Sequence, residues 1–206
     1  MCGRLNIISD PICHWVNEVL NINFTTNNNA DLSPGQEIAA ITQSVKSAQS
    51  QTLNRHNNSQ TLPLLQQQNF NWGIKPNWAK RLLINAQSET VTVKPTFKTV
   101  IQNQRCLIPC SGWYEWSTEN NKKVKYLFSA KNEEPLLMAG IFYLTPSPQL
   151  VTLTTKANQT FQAYHHRMPL IIAPTDINYW FNSSTTTLQP LLQSEIAPAL
   201  NVTKVS

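Results

Sequence analysis

Cys2 holds the most reactive combination of groups in this 206-residue chain. With Met1 removed, it presents a free α-amine and a thiol on adjacent carbons. Such an amine titrates near ~7.7–8.0, so a fraction is neutral and nucleophilic at physiological pH. The thiol titrates near ~8.5, and lower beside positive charge, which Arg4 can supply. This 1,2-aminothiol has a natural electrophile, the aldehyde. The amine adds to the carbonyl and loses water, giving an imine. The thiol then closes onto the imine carbon, giving a five-membered thiazolidine. Covalent capture of this kind is ordinary nucleophilic chemistry, and the second bond makes the adduct persistent. A ring-opened abasic deoxyribose carries such an aldehyde. A Met-Cys start is common in proteins, so this chemistry needs support from the rest of the chain.

Other chemistries find less footing. Only five glycines are present, and none forms a phosphate-binding loop or a nucleotide fingerprint. Cys106 and Cys110 are four apart, with no neighbouring His or Cys pair to complete a zinc set. Neither metal nor cofactor is expected. No stretch approaches the ~20 apolar residues of a membrane span. The first residues lack the apolar core of a signal peptide. The expectation is a cytoplasmic monomer with reduced cysteines and no membrane partner. Lys and Arg outnumber Asp and Glu by 16 to 11, a net charge of +5. That suits a polyanion only if the cations share a face.

The elements that must position these groups follow from the pattern. A single domain over residues 1–206 is expected, and 41% apolar residues are enough for a packed core. Charged residues are only 13%, with Asn, Gln, Ser and Thr filling the balance. Ser9, Asp10 and Pro11 read as a helix start, and Ile12, Trp15, Val16 and Leu20 follow at helical spacing. Residues 25–29 read as a polar loop, 33–35 as a turn and 38–42 as a short strand. Residues 43–60 are rich in Gln, Ser and Asn and read as an exposed loop or hairpin tip. Extended segments are expected at 82–84, 105–109, 112–116, 126–129, 136–142 and 150–154. Helices are expected at 157–164 and 177–181. There is no regular βαβ alternation, so the fold class is α+β.

Read together, the motifs carry a resemblance. Met1-Cys2-Gly3-Arg4 opens the chain. Trp72-Gly73 precedes Ile84-Asn85-Ala86-Gln87-Ser88-Glu89-Thr90. Arg105-Cys106-Leu107-Ile108-Pro109 and Gly112-Trp113-Tyr114-Glu115-Trp116 follow, then Thr154-Thr155-Lys156-Ala157-Asn158 and His165-His166-Arg167-Met168-Pro169. In order and spacing, from residue 1 to about 182, this resembles the SOS-response-associated peptidase (SRAP) family. The resemblance implies a compact domain around a β-barrel-like mixed sheet with short flanking helices. It implies self-removal of Met1, binding of single-stranded DNA, and thiazolidine crosslinking of Cys2 to abasic sites, a lyase-type activity. It also implies catalytic roles for Asn85, Glu115 and His165. Glu115 between tryptophans is suited to shuttle protons. His165 is suited to protonate the sugar oxygen, and Asn85 to hydrogen-bond the amine or the sugar.

Candidate base-stacking surfaces are Trp72, Pro76, Trp78 and Trp113. Candidate phosphate contacts are Arg4, Lys75, Lys80, Arg81, Lys94, Lys98, Arg105 and Arg167, with Gln87 beside the DNA path. Lys122, Lys123 and Lys125 read as a solvated hairpin tip. Four positions depart from the family pattern. Gln87 stands where Arg is common, which lowers the expected DNA affinity. Asp31 stands where Asn is common and puts negative charge beside the path. Ala79 follows Trp78 where some members carry a second Trp, and His166 replaces a usual Asp. Two other readings remain open: a glutamine amidotransferase, a class that also begins Met-Cys-Gly, and a reversible single-strand-binding module.

Overall fold

In the computed structural model, residues 3–44 and 64–205 are described. The strands are β1 (Leu5–Ile7), β2 (Asn29–Leu32), β3 (Glu37–Gln43), β4 (Leu65–Trp72), β5 (Asn85–Gln87), β6 (Arg105–Cys110), β7 (Gly112–Glu119), β8 (Lys122–Ala130), β9 (Leu136–Tyr143), β10 (Gln149–Lys156), β11 (Arg167–Pro169) and β12 (Leu200–Lys204). The helices are α1 (Ser9–Leu20), α2 (Val100–Asn103), α3 (Gln159–Gln162), α4 (Ile177–Asn182) and α5 (Gln189–Leu192).

The apolar stripe of α1 turns Ile12 and Val16 into the core, as a helical i, i+4 pair must. Ser9 is the first helical residue rather than the cap. Its amide donates to Asn28 Oδ1 at 2.7 Å, so the polar loop at 25–29 supplies the cap from across the chain. Asn21 ends the helix in the left-handed region, with φ 52°.

The strands form two sheets. The first has the order β12-β8-β7-β1-β2. In the second, β11-β10-β4-β3-β6-β9, an additional β10–β9 pairing closes β4, β3, β6, β9 and β10 into a ring. The ring is mixed: β10 runs parallel to β4 and β5 and antiparallel to β9 and β11. This is the barrel-like α+β architecture expected. Every residue of β6 is buried, which explains the apolar run from Cys106 to Cys110 between β3 and β9.

Aromatic packing joins the sheets into one core. Trp113 of β7 stacks on Phe128 of β8 at 5.2 Å and on Phe161 of α3 at 5.4 Å. Gly112 permits this approach, because a Cβ there would sit 2.3 Å from the Phe128 carbonyl oxygen. The expected helix at 157–164 is the single turn α3, with Asn158 accepting from the Phe161 amide at 3.2 Å.

Two expectations change. Residues 82–84 make an isolated bridge, Leu83 to Ile74, and one bond from the Thr152 amide to the Ile84 carbonyl at 3.0 Å, and the strand begins at Asn85. Lys122 and Lys123 do flank a tight turn, at Asn120 and Asn121, both with positive φ. Lys125 is not part of that tip: it is half-buried and paired with Asp31. The polar stretch at 43–60 lies outside the described residues, apart from Gln43 and Ser44. Among the described residues, no helix is long and apolar enough to cross a membrane, and no group of three or more His, Cys, Asp or Glu is placed to hold a metal.

Candidate active site

The first sheet brings the start of the chain to Glu115. Leu5 pairs with Trp113, and the Tyr114 amide donates to the Arg4 carbonyl at 3.0 Å. The same antiparallel register sets Gly3 level with Glu115. Cys2 lies outside the described residues. Covalent geometry alone ties its Cα to within about 3.8 Å of that of Gly3.

Glu115 is 3% exposed. Strand alternation explains this: Trp113 and Glu115 point inward from β7, while Trp116 is 40% exposed. Burial pushes the Glu115 carboxyl up to about 7, with the charge of the amino terminus acting the other way. Both protonation states are therefore populated near neutrality, as a proton shuttle requires.

His165 reaches the same region through the aromatic core. Tyr126 is the cross-strand partner of Glu115, and its ring meets Tyr164 edge-on at 4.9 Å. His165 follows directly, at the seam between the sheets. The Arg167 amide donates to His165 Nδ1 at 2.9 Å. The same nitrogen lies 3.1 Å from the Arg167 carbonyl oxygen, to which it can donate when it carries a proton, so the Arg167 backbone orients the ring in either tautomer. The ring stacks on exposed His166 at 4.3 Å. Burial lowers the His165 pKa, followed by the charge of the amino terminus, with His166 adding a smaller push in the same direction.

Asn85 sits on the opposite edge of β10 from β11. Residues 85–87 pair with Thr152, Leu153 and Thr154. The Thr152 hydroxyl donates to Asn85 Oδ1. The Trp72 indole donates to the Ile84 carbonyl at 3.2 Å. Thr152 thus holds the Asn85 side chain, and a fully buried tryptophan holds the backbone of the residue before it. Arg167 ties the two edges of β10 together. Its guanidinium bridges both oxygens of Glu89 at 2.6 and 2.8 Å and also donates to the Thr154 carbonyl. This bidentate clamp fixes the segment after Asn85 relative to the strand after His165.

Four residues expected at a DNA surface are internal. Trp72 and Trp113 are 0% and 1% exposed and have no free face for a base. Arg105 is buried, with its guanidinium on the Gln102 and Ser183 carbonyls at 3.2 and 2.9 Å. Burial pulls its pKa down to about 10, so it stays charged and staples α2 to the end of α4. Arg167 is committed to Glu89. The remaining candidates are on the surface. Trp78 is 67% exposed, and with Pro76 and Lys75 it lines a cavity of about 490 Å³ whose other wall includes Pro95 and Tyr143. Lys80 and Arg81 are exposed on the same segment. Gln87 and Lys94 are exposed together, with Lys94 Nζ 3.3 Å from Gln87 Oε1. Arg4 is half-buried and paired with Asp31.

Sequence reasoning gave no role to Glu89, Thr152, Trp116 or a paired Lys125. Glu89 stands inside the motif at 84–90 and was visible there. The other three depend on cross-strand register.

Residues 1–206, the whole chain, match the family of SOS response associated peptidases, SRAP. The chain belongs to this family. SRAP relatives include the Abasic site processing protein YoqW of Bacillus subtilis, 31% identical over 150 residues, covering 66% of this chain and 67% of the relative. The Abasic site processing protein YedK of Escherichia coli is 32% identical over 116 residues, covering 53% and 52%. The Abasic site processing protein HMCES of Xenopus tropicalis is 24% identical over 134 residues, covering 49% and 40%. A crystal structure of a Bordetella bronchiseptica protein superposes with a TM-score of 0.79, over all of both chains, at 21% identity. A Bacteroides thetaiotaomicron protein gives 0.74 at 20% identity, covering 100% of this chain and 92% of that one. At this identity the two structures establish the fold, and the family match carries the membership.

Proposed function

We propose that this SRAP protein senses and shields abasic sites in single-stranded DNA by covalent capture. Met1 is removed by the chain itself, exposing the Cys2 aminothiol. The observation that carries the reading is the antiparallel register of β1 on β7, which sets Gly3 beside the buried Glu115 carboxyl. The naming of several relatives as abasic site processing proteins supports the substrate class.

The chemistry assigns each residue a step. Protonated His165 gives its proton to the ring oxygen of the abasic deoxyribose while the C1′ hydroxyl releases its proton to water, so the C1′–ring oxygen bond breaks and the sugar opens to the aldehyde. The Cys2 amine attacks the aldehyde carbon. Protonated Glu115 delivers a proton to the departing oxygen, which leaves as water, and a C=N bond forms. The Cys2 sulfur then adds to the imine carbon. The nitrogen has kept its own proton and becomes the neutral ring amine, while the thiol proton passes to the Glu115 carboxylate, restoring the acid as the thiazolidine closes. Asn85, oriented by Thr152, holds the sugar or the amine by hydrogen bonds. Reversal runs through the same groups. Trp78 and Pro76 offer a surface for unpaired bases, with Lys80, Arg81 and Lys94 for phosphates.

The test is a single-stranded oligonucleotide with one abasic site, run with the protein on a denaturing gel, with the intact protein mass read from the same sample. A shifted band that survives denaturation, absent with Cys2→Ala and with undamaged DNA, is the expected result. No such band from protein whose mass lacks Met1 would overturn the reading. Binding that salt abolishes would then favour a reversible module. Cys2-dependent ammonia release from glutamine would favour an amidotransferase.

A further inference from the structure

The outer face of the first sheet carries a second charge cluster that the chemistry above does not use. A single carboxylate, Asp31 on β2, takes two cations. Its Oδ2 accepts from Arg4, on the segment leading into β1, and its Oδ1 lies 2.8 Å from Lys125 Nζ on β8. One cation on each of two oxygens is also how a phosphodiester presents its two unesterified oxygens. Lys125 is not a loose surface lysine. Its ammonium sits 4.0 Å over the Tyr114 ring and 5.5 Å from that of Trp116. The Tyr114 hydroxyl donates to the Ala30 carbonyl at 2.7 Å, tying β7 to the residue before Asp31. Lys125 is thus held in place by packing, whereas the Asp31 side chain is 50% exposed and can swing into solvent.

We propose that Arg4 and Lys125 form a phosphate subsite for a DNA single strand, and that Asp31 occupies it in the free protein. This rests on the DNA reading above and names the groups that one strand phosphate meets beside Trp116. The cluster carries two positive charges against one negative. A phosphodiester of charge −1 replaces Asp31 with no change in the local balance, while the carboxylate gains water. Exposed ion pairs contribute little to the fold, so the exchange costs little. The consequence is functional. Reversible affinity for undamaged strands is held down, and retention falls to the covalent bond formed only at an abasic site.

The test measures reversible binding of an undamaged single-stranded oligonucleotide by fluorescence anisotropy across a salt series. Wild type, Asp31→Asn, Lys125→Ala, the double variant Asp31→Asn/Lys125→Ala, and Glu119→Gln are compared. Glu119→Gln removes the same charge from a carboxylate on the same sheet that pairs with Lys204 instead. Asp31→Asn is expected to tighten binding about 3- to 10-fold and to steepen the log–log salt dependence by about 0.7–1.4, one to two added phosphate contacts at ~0.7 each. Lys125→Ala is expected to cancel most of that gain in the double variant and to change little by itself. Unchanged affinity and slope in Asp31→Asn overturn the subsite. So does a gain that survives loss of Lys125, or an equal gain in Glu119→Gln, which would mark a general field effect. Asp31→Ser repeats the comparison with a shorter side chain. Because undamaged DNA is used, these outcomes stand apart from the denaturing-gel result on which the covalent reading rests.

Discussion

The Glu89–Arg167 pair and the Asp31–Arg4–Lys125 cluster use the same residue types in opposite ways. In the first, the side chains of Arg167 and Glu89 are 9% and 22% exposed, and the guanidinium is bidentate. In the second, Arg4 and Asp31 are 37% and 50% exposed. Withdrawing ions from water is costly, and a buried pair is held because removing one partner strands the other. Such a pair is suited to fixing geometry, and here it joins the Asn85 segment to the His165 segment across β10. An exposed cluster has little to lose by exchanging its anion and is suited to binding.

The comparison can be broken most directly at Arg167. Arg167→Ala is expected to destabilise the fold by about 3–5 kcal/mol, a fall in Tm of roughly 6–20 °C at this chain length. Arg167→Lys should recover little of it, because a point charge cannot bridge both Glu89 oxygens and the Thr154 carbonyl. A Tm for Arg167→Ala near that of wild type would place this pair with the exchangeable kind.

The two tryptophans sharpen the contrast between scaffold and surface. Trp78→Ala should leave Tm nearly unchanged and weaken single-strand binding by roughly 5- to 100-fold, the ~1–3 kcal/mol of one stacked base. Trp72→Ala should act on Tm first. Equal loss of affinity at constant Tm for both would return Trp72 to the DNA surface.

Glu115 offers a pH-dependent test. Its folded pKa of about 7 lies above the ordinary 4.5. The folded state therefore holds a proton that the unfolded chain has released. The associated stability is complete below about pH 4.5 and is lost as pH rises through about 7. Glu115→Gln stays neutral throughout, so its Tm relative to wild type should rise between pH 5 and pH 8. A gap independent of pH would mean that the carboxyl titrates normally. The crosslinking rate of wild type should carry an inflection near pH 7 that the variant lacks.

The smallest effect is expected at Arg4. Arg4→Ala should cost under about 1 kcal/mol of stability, visible as a Tm within a few degrees of wild type. A loss matching that of Arg167→Ala would erase the distinction between the clusters.

Much of the architecture was legible before any coordinates. The strands at 105–110, 112–119 and 136–143 announce themselves as β-rich apolar runs, and α1 by its spacing. Helix 157–164 was overestimated because its apolar residues, Phe161 and Tyr164, belong to inter-sheet packing rather than to a helical stripe. Residues 82–84 read as a strand because they are apolar, yet only Leu83 makes a bridge and Ile84 a single bond to the Thr152 amide. The misassigned DNA contacts share one cause. Trp72, Trp113, Arg105 and Arg167 are amphipathic residues that serve equally well inside or outside, and local sequence carries no sign of which.

What the sequence determined by itself was the family, through motifs that hold Asn85, Glu115 and His165 in order, and the residue types on which the proposed Cys2 chemistry rests. Covalent reactivity belongs to residue types and is visible in a string of letters. The tertiary structure decided which groups are desolvated and which are paired. It raised the Glu115 carboxyl to about 7, turned Arg167 into a clamp, and gave Asp31 two cations from strands far apart in the chain. Burial and ion pairing are properties of distance and dielectric, and neither exists until the sheets close.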